Sequence, residues 1–397
     1  MKKNKTDNKK VSIVMMSTFS GASFKAPQLM PIVHRLSEEK LLADSFGIPN
    51  ATDKNEYSED ELKHLKRSHL MRFLMRMTNK ILVVTKSRNS YITREKIFGF
   101  FSMLFFKTDG DIVLLKPRPS SLVRFYKKIG KITVVEASES HPQYTYDGVK
   151  RECELLEIPL VKNNYTNQRA IKDFERGISF ADRIICLSDF SAGTYIKRGI
   201  DKEKIRVTGL TAGMSLVEPR EESNEPIIFV SVANHGVLKG TLNLLRIWKK
   251  YGIKSRLMII GNIHEDLAPY LDEFRNKDNI VFTGSMDRKD IEKIYKNNRC
   301  VGVLLSVSEG FSRSILECLL TATPVIVTEC CTCDIVENGK NGFIVDATDS
   351  DGVFRCIKDF MSMSPEKYKA MSESAYMGAK SAEQDFLSKY IGAVLGE

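Results

Sequence analysis

Two successive sets of short, continuously apolar segments constrain the fold of this chain more than any other feature. The first set begins at Val11 and the second at Ile227, and helix-length segments separate the members of each set. Apolar strands at this spacing are typical of a parallel β-sheet covered by helices on both faces. The sequence therefore predicts an α/β protein with two Rossmann-like, doubly wound domains that face each other across a cleft.

The members of each set have the length of single strands. The first set consists of VSIVMM, ILVVT (Ile81 to Thr85), IVLLK, TVVEA, RIICLS and KIRVTG. The second set consists of IIFVSV, RLMIIG, NIVFTG, CVGVLLS, PVIVTE and GFIVD. A chain of 397 residues is long enough for two domains with separate cores.

A polar segment with two prolines, residues 211–226, predicts the linker between the domains. We expect a first domain over residues 1–210 and a second domain over residues 227–380. The amphipathic C-terminal segment, residues 381–397, is expected to form a helix that packs back on the first domain.

The most informative polar residues follow the apolar segment CVGVLLS. Glu309 and Gly310 lie in a short loop, and a helix is predicted from Arg313 until shortly before Pro324. A helix N-terminus suits phosphate, because it offers unpaired N–H groups and a partial positive charge. Glu317 would point back toward that terminus. The two carboxylates favour a nucleotide-sugar site, and an ordinary βα turn with solvated glutamates is the alternative.

Several segments resemble the retaining glycosyltransferases of family 4, also described as glycosyl transferases group 1. They are EGFSRSILE (309–317), TPVIV around Pro324, ENGKNGFIV (337–345), VVEASESHP (134–142) and ADRIICLSDFSAGTYIKRGIDKEKIRV (181–207). The resemblance implies the GT-B fold and a metal-independent, retaining sugar transfer. It implies a nucleotide-diphosphate sugar as donor substrate, no further cofactor and a glycan acceptor.

The resemblance also implies roles for individual residues. Glu309 would contact the donor sugar, Glu317 would accept hydrogen bonds from the ribose, and Lys239 would neutralise the diphosphate. Sugar hydroxyls or phosphate would meet the backbone N–H groups of Gly310, Phe311 and Ser312. His141, in a first-domain loop, is expected to contact the donor sugar, with Glu136 or Glu139 as alternatives.

The sequence departs from the family pattern in places. The family usually has an arginine five or six residues before the lysine, where this chain has Asn234 and Ala233. We place Asn234 in the donor site and expect Arg313 to supply the missing cation. Gly21 is expected to let the first loop approach the donor, although the usual double glycine is absent. These departures motivate an alternative function, a non-catalytic binding protein with a weakened nucleotide site.

Basic residues are concentrated in the first half of the chain. Residues 1–210 hold 38 Lys and Arg against 24 Asp and Glu, and residues 62–131 hold 17 against 3. Phenylalanines and leucines lie among these basic residues, and an amphipathic helix is predicted over residues 61–80. The pattern favours contact with an anionic membrane surface, with a solvated face over an aromatic core as the alternative. No nucleic-acid-binding module is recognisable, so we expect no nucleic-acid partner.

The longest apolar run, Ile97 to Phe106, has ten residues, and a bilayer span needs about 20. The apolar run near the N-terminus is too short for a signal peptide. We therefore expect a cytoplasmic protein that is peripheral on the cytoplasmic membrane face. Its acceptor is expected to be lipid-linked, in the biosynthesis of a cell-surface polysaccharide or glycolipid.

Two motifs resemble metal sites but do not predict one. Asp109 and Asp111 form a DGD motif that precedes a predicted strand, whereas the metal-binding DxD motif follows one. Cys330, Cys331 and Cys333 lack the pair-and-distant-pair spacing of structural zinc sites. We predict no metal site.

Overall fold

The computed structural model describes residues 9–15, 29–46, 65, 66, 77, 90–161, 166–212, 214–221, 223–275 and 277–397. Within these residues the chain forms two parallel β-sheets, one of seven strands and one of six. Helices lie between most successive strands in both halves. The predicted α/β class with two doubly wound sheets is confirmed.

The first sheet has the strand order β3-β2-β1-β4-β5-β6-β7 when the strands are numbered along the chain. The strands are β1 (Val11–Val14), β2 (Leu42–Phe46), β3 (Leu65–Lys66), β4 (Ile112–Leu115), β5 (Ile132–Ala137), β6 (Arg183–Cys186) and β7 (Ile205–Val207). The helices between them are α1 (Leu29–Glu38), α2 (Ser90–Phe105), α3 (Ser120–Lys128), α4 (Pro142–Leu155), α5 (Gln168–Phe180) and α6 (Asp189–Ile196).

The second sheet has the order β10-β9-β8-β11-β12-β13. Its strands are β8 (Ile228–Val232), β9 (Leu257–Ile260), β10 (Ile280–Gly284), β11 (Cys300–Leu304), β12 (Val325–Thr328) and β13 (Gly342–Val345). Its helices are α7 (Thr241–Lys250), α8 (Asp272–Arg275), α9 (Arg288–Asn297), α10 (Arg313–Leu320) and α11 (Ser350–Met361), and the chain ends with α12 (Pro365–Leu395).

Both faces of each sheet are buried, which explains the uninterrupted apolar segments in the sequence. Successive side chains of a strand point to opposite faces. In β4, Val113 and Leu115 pack with helices α2, α3 and α5, whereas Ile112 and Leu114 pack with α1 and α12. A strand between two helical layers therefore has few positions that favour a polar residue.

Helix α12 packs on both domains. Its first half buries Ala375 and Ala379 in the core of the second domain. Its second half buries Phe386 and Tyr390 against the first sheet. The last part of the chain therefore covers one face of a sheet that is formed by the first part.

Glu383 lies between these two halves of α12 and binds the start of the segment that joins the domains. Its carboxylate accepts hydrogen bonds from the Thr211 hydroxyl at 2.7 Å and from the Ala212 N–H at 2.9 Å. The described residues between β7 and β8, which include most of the predicted linker, form neither helix nor strand. The crossing point of α12 and the start of the linker are therefore held together.

One prediction for the first domain is wrong in part. The amphipathic helix predicted over residues 61–80 cannot include Leu65 and Lys66, because they form β3 and pair with Ser45 and Phe46 of β2. So short an edge strand gives no period that distinguishes it from a helix in sequence. Gly21 and the predicted strand Ile81 to Thr85 lie outside the described residues. Within the described part of the chain, no helix combines the length and apolarity needed to cross a membrane.

The position of α12 generates a prediction about stability. The Phe386 side chain is 2% exposed in the first-domain core. Phe386→Ala is expected to lower the free energy of unfolding by about 3 kcal/mol, because it leaves a cavity in that core. Chemical denaturation measures the effect. Met377→Ala, at a position of the same helix that is 61% exposed, serves as control and should change the free energy by less than about 0.5 kcal/mol. Equal losses in the two variants would contradict this packing.

Candidate functional site

The candidate site lies at the point in the second sheet where the order of strand addition reverses. After β8 the chain builds β9 and β10 on one side, and it then crosses to build β11, β12 and β13 on the other. The loops after β8 and β11 therefore leave neighbouring strands at the carboxyl edge of the sheet. In open parallel sheets, ligands bind in the crevice at this switch point.

Lys239 and Glu309 meet at this switch point. The Lys239 ammonium donates to Oε1 of Glu309 at 2.5 Å, and the Ser306 hydroxyl donates to the same oxygen at 2.6 Å. Both charged side chains are mostly buried, at 21% and 10% exposure. The structure thus brings together a cation and a carboxylate that lie 70 residues apart in the sequence.

A left-handed glycine allows Lys239 to reach this position. Lys239 ends a short 3-10 helix, Val237–Lys239, and Gly240 follows with φ of 64°. A Cβ atom on Gly240 would lie 2.0 Å from the carbonyl oxygen of Leu305. Glycine is required here, both for the backbone conformation and for the close approach of this loop to the end of β11.

His235 fixes the same loop from inside the domain. Its Nδ1 lies 3.0 Å from the Thr241 hydroxyl, and its Nε2 lies 3.1 Å from the carbonyl oxygen of Ile260. Since a carbonyl only accepts, Nε2 carries the proton and Nδ1 accepts from Thr241. Burial lowers the pKa of His235 to about 4, so the ring is neutral near neutral pH.

The segment of residues 306–312, here called the 306–312 loop, leads into α10. Ser312 is the N-cap residue of α10, and its side chain makes no capping hydrogen bond. The backbone N–H groups of the first turn are therefore not occupied by the residue that usually caps them, which suits an anionic ligand. Phe311 and Ser312 are buried.

First-domain residues hold the 306–312 loop from the opposite side. The Ser140 hydroxyl donates to the Glu309 carbonyl at 2.5 Å, and the Ser188 hydroxyl donates to the Gly310 carbonyl at 2.7 Å. A Cβ atom on Gly310 would come within 2.0 Å of the Ser138 carbonyl oxygen. Only glycine fits at this contact between the domains.

Glu317 lies one turn into α10, and two arginines contact or approach it. Arg288, the first residue of α9, places Nη2 at 3.2 Å from Glu317 Oε1. Burial raises the pKa of the Glu317 carboxyl, whereas the charges of Arg288 and Arg313 oppose that rise. Burial also lowers the pKa of the Arg313 guanidinium. Sequence reasoning missed Arg288, although its position after the loop that follows β10 places it at the carboxyl edge of the sheet.

His141 directly follows Ser140, which binds the 306–312 loop, but the His141 ring faces the interior of the first domain. Its Nδ1 accepts from the Gln143 N–H at 3.2 Å as the N-cap of α4. The ring packs against Tyr195, with 5.3 Å between ring centroids, and Nε2 lies 3.8 Å from Glu175 Oε1. Burial lowers the pKa of His141 to about 4. Its contact with a donor sugar stays a prediction.

The remaining predicted residues are placed as follows. Asn234 is exposed in the loop after β8. The predicted DGD motif lies in the loop before β4. Cys330 and Cys331 are buried with their sulfur atoms 3.8 Å apart, and burial raises the pKa of Cys331. Within the described ranges, no group of three or more His, Cys, Asp or Glu side chains is arranged to hold a metal ion.

Comparisons with known proteins identify a family model and relatives that resemble this chain. Residues 216–377 match the family model described as glycosyl transferases group 1. Over 249 residues the chain is 24% identical to "Putative colanic acid biosynthesis glycosyltransferase WcaL" of Escherichia coli (strain K12). That match covers 59% of this chain and 59% of the relative. The resemblance to group 1 is confirmed over residues 216–377, and membership of family 4 in particular stays a prediction.

Solved structures with the same fold cover nearly the whole chain. Anabaena Alr3699/HepE in complex with UDP is 14% identical with a TM-score of 0.61, over 98% of this chain and 99% of that chain. Sucrose-phosphate synthase from Thermosynechococcus elongatus is 14% identical with a TM-score of 0.67, over 97% and 98%. The predicted GT-B fold is confirmed.

The buried, neutral state of His235 generates a prediction about pH. The unfolded chain binds a proton near the ordinary histidine pKa of about 6.5, whereas the folded chain resists protonation until about pH 4. Stability is therefore lost as the pH falls through this interval. Between about pH 7 and about pH 4.5, the loss in free energy of unfolding should be about 2 kcal/mol smaller in His235→Asn than in the wild type. Chemical denaturation at both pH values measures it.

The exposed His34 of α1 provides the control. His34→Asn should retain the pH dependence of the wild type, because it leaves the buried His235 ring in place. An unchanged pH dependence in His235→Asn would refute the assignment of a neutral, buried ring.

Proposed function

We propose that this chain, whose residues 216–377 match glycosyl transferases group 1, transfers a sugar from a nucleotide-diphosphate sugar to a glycan acceptor. The observation that carries the proposal is the Lys239–Glu309 ion pair at the switch point of the second sheet, beside the N-terminus of α10. A cation and a helix N-terminus suit a diphosphate, and carboxylates suit sugar hydroxyls. The UDP held by Anabaena HepE, a protein of the same fold, supports this class of donor.

Donor binding would rearrange the ion pair. The diphosphate would replace Glu309 as the partner of Lys239, and Glu309 would then accept hydrogen bonds from hydroxyls of the donor sugar. N–H groups at the start of α10, from Ser312 and its neighbours, would donate to the phosphate oxygens. Glu317 would accept from the ribose, with Arg288 holding this buried carboxylate in place.

The transfer would be metal-independent and would retain the anomeric configuration. The acceptor oxygen forms its bond to the anomeric carbon on the face from which the diphosphate oxygen departs. The acceptor proton passes to the departing phosphate oxygen, so no strong general base is required. Lys239 and the helix N-terminus stabilise the charge that develops on the diphosphate.

The competing function is a non-catalytic binding protein with a weakened nucleotide site. Asn234 motivates it, because the family pattern has a cation near this position. Calorimetry with a panel of nucleoside diphosphates separates the two functions. Failure of every nucleotide to bind would favour the competing function.

We place the protein on the cytoplasmic face of a membrane, acting on a lipid-linked acceptor in cell-surface polysaccharide biosynthesis. The name of the Escherichia coli relative supports the pathway class. Helix α2 supports the proposal of membrane contact. Its side chains Phe100, Leu104 and Phe105 are 54%, 58% and 55% exposed in a strongly basic part of the chain. Exposed aromatic and aliphatic side chains among cations suit an anionic interface.

The donor site is tested with two variants. Lys239→Ala should weaken nucleoside-diphosphate binding about tenfold or more, because it removes a charge-assisted contact. Glu309→Gln should retain nucleotide binding and lower the transfer rate by about a hundredfold, because its contacts act on the reacting sugar. Calorimetry and nucleotide release with a panel of donor sugars measure these effects.

The exposed Lys340, which pairs with Glu337 on the surface, gives the matched control Lys340→Ala, which should behave as the wild type. Activity should persist in EDTA. Unimpaired turnover in both site variants would refute the site, and loss of activity in EDTA would refute the metal-independent mechanism.

Membrane contact is tested by flotation with vesicles of equal parts phosphatidylglycerol and phosphatidylcholine. The double variant Phe100→Ser/Leu104→Ser should bind about tenfold more weakly than the wild type, because it loses apolar area at the interface. Met361→Ser/Met377→Ser removes two exposed methionines of the second domain and should bind as the wild type does. Failure of the wild type to float would refute the membrane proposal.

A further inference from the structure

The first sheet has a switch point of its own, between β1 and β4. From β1 the chain builds β2 and β3 on one side, and it then crosses to β4, β5, β6 and β7 on the other. Val14 at the end of β1 pairs with Leu115 at the end of β4. Lys116 follows Leu115 directly and therefore lies at the carboxyl edge of the sheet, where a crevice for a ligand is expected.

Lys116 is held there by a buried polar cluster. Its ammonium donates to Glu136 Oε1 at 2.6 Å and to the Ser138 hydroxyl at 2.5 Å. The Tyr390 hydroxyl of α12 donates to Glu136 Oε2 at 2.5 Å. Glu136 and Tyr390 are almost fully buried, whereas the Lys116 side chain is 28% exposed. The cluster therefore presents its cation, and not its carboxylate, to solvent.

The hydrogen bonds within the cluster decide which ligand chemistry it suits. Glu136 accepts at Oε1 from Lys116 and Ser138, and at Oε2 from Tyr390. Burial opposes ionisation, but the Lys116 charge and the three donors lower the pKa of Glu136. The Ser138 hydroxyl donates its proton to Glu136. Among the described residues two of the three ammonium donors of Lys116 are engaged, so the cluster offers a cationic donor to a ligand.

This cluster adjoins the donor side of the cleft through Ser138. The Ser138 hydroxyl binds Lys116, and the Ser138 carbonyl oxygen lies against Gly310 of the 306–312 loop. A group bound at Lys116 would therefore lie near the residues that are proposed to contact a donor sugar. Proximity of this kind is required for direct transfer between two bound substrates.

We infer that Lys116, positioned by Glu136, Ser138 and Tyr390, binds an anionic group of the acceptor, a carboxylate or a phosphate carried by the saccharide. The excess of basic residues in residues 1–210 would favour such an acceptor over a neutral one. The identification of the ligand as the acceptor rests on the proposed function. The anion site itself rests on the cluster alone.

The test measures binding of small probes by calorimetry, with UDP saturating the second domain so that anions do not occupy the Lys239 site. The probes are methyl glucuronide, methyl phosphate and the neutral methyl glucoside. The wild type should bind at least one anionic probe about tenfold more tightly than methyl glucoside. The two anionic probes distinguish a carboxylate acceptor from a phosphate acceptor. Lys116→Met should lose the preference, Lys116→Arg should keep it, and UDP affinity should be unchanged in both.

A paired set of variants guards against misfolding. Lys116→Met leaves the Glu136 carboxylate buried without its cation. The double variant Lys116→Met/Glu136→Gln removes the same cation and also replaces the buried carboxylate with a neutral amide. Glu136→Gln alone retains Lys116 and should retain the anion preference. Thermal unfolding checks that each variant is folded.

Two outcomes would overturn the inference: no anion preference in the wild type, or an equal preference in the wild type and in the folded double variant. Failure of every nucleoside diphosphate to bind would instead count against the proposed function. In that case the same probe comparison in a Lys239→Ala background still tests the Lys116 site.

Discussion

Contact between the two domains at the 306–312 loop is the constraint on which the candidate site depends. Single hydrogen bonds such as those from Ser140 and Ser188 contribute about 1 kcal/mol each, too little to hold two domains together. Apolar packing contributes more, because Val149 and Cys153 of α4 and Leu156 at its C-terminal end belong to the same buried cluster as the core of the second domain. Helix α4 is thus built by the first domain and stabilised by the second. The shape of the site is a property of both.

The fold was largely predictable from sequence, because burial on both sheet faces leaves uninterrupted apolar segments. The exceptions are β2, whose apolar run is interrupted by the buried polar residues Asp44 and Ser45, and β3, whose two residues at a sheet edge leave no pattern. The pairing of Lys239 with Glu309 could be anticipated only through resemblance, since nothing in their local sequence specifies a contact over 70 residues. Glu136 was considered for the cleft, but its partner Tyr390 lies 254 residues away. Such a hydrogen bond follows from tertiary packing and has no local signature.

Arg288 was missed for a different reason. It begins an amphipathic helix with a polar outer face, where one more basic residue has no distinguishing pattern. Only the three-dimensional position of the strand before it brings the side chain to Glu317.

Both sheets share one arrangement, a lysine with a carboxylate partner at the carboxyl edge beside the switch point. In the second sheet the lysine is 21% and the carboxylate 10% exposed, whereas in the first sheet the lysine is 28% and the carboxylate only 3% exposed.

The path of α12 has a consequence for how such a protein can be recombined. In sequence order the two domains look like consecutive modules, separable at the linker. In space, the last turns of α12 belong to the first module, because Phe386, Tyr390 and Val394 complete one of its cores. A chimera that exchanges everything after residue 226 would replace part of the first module with foreign side chains. An exchange limited to residues 227–380 keeps the native C-terminal turns with the sheet they cover. The segments that must be inherited together to form the first module are therefore discontinuous in sequence.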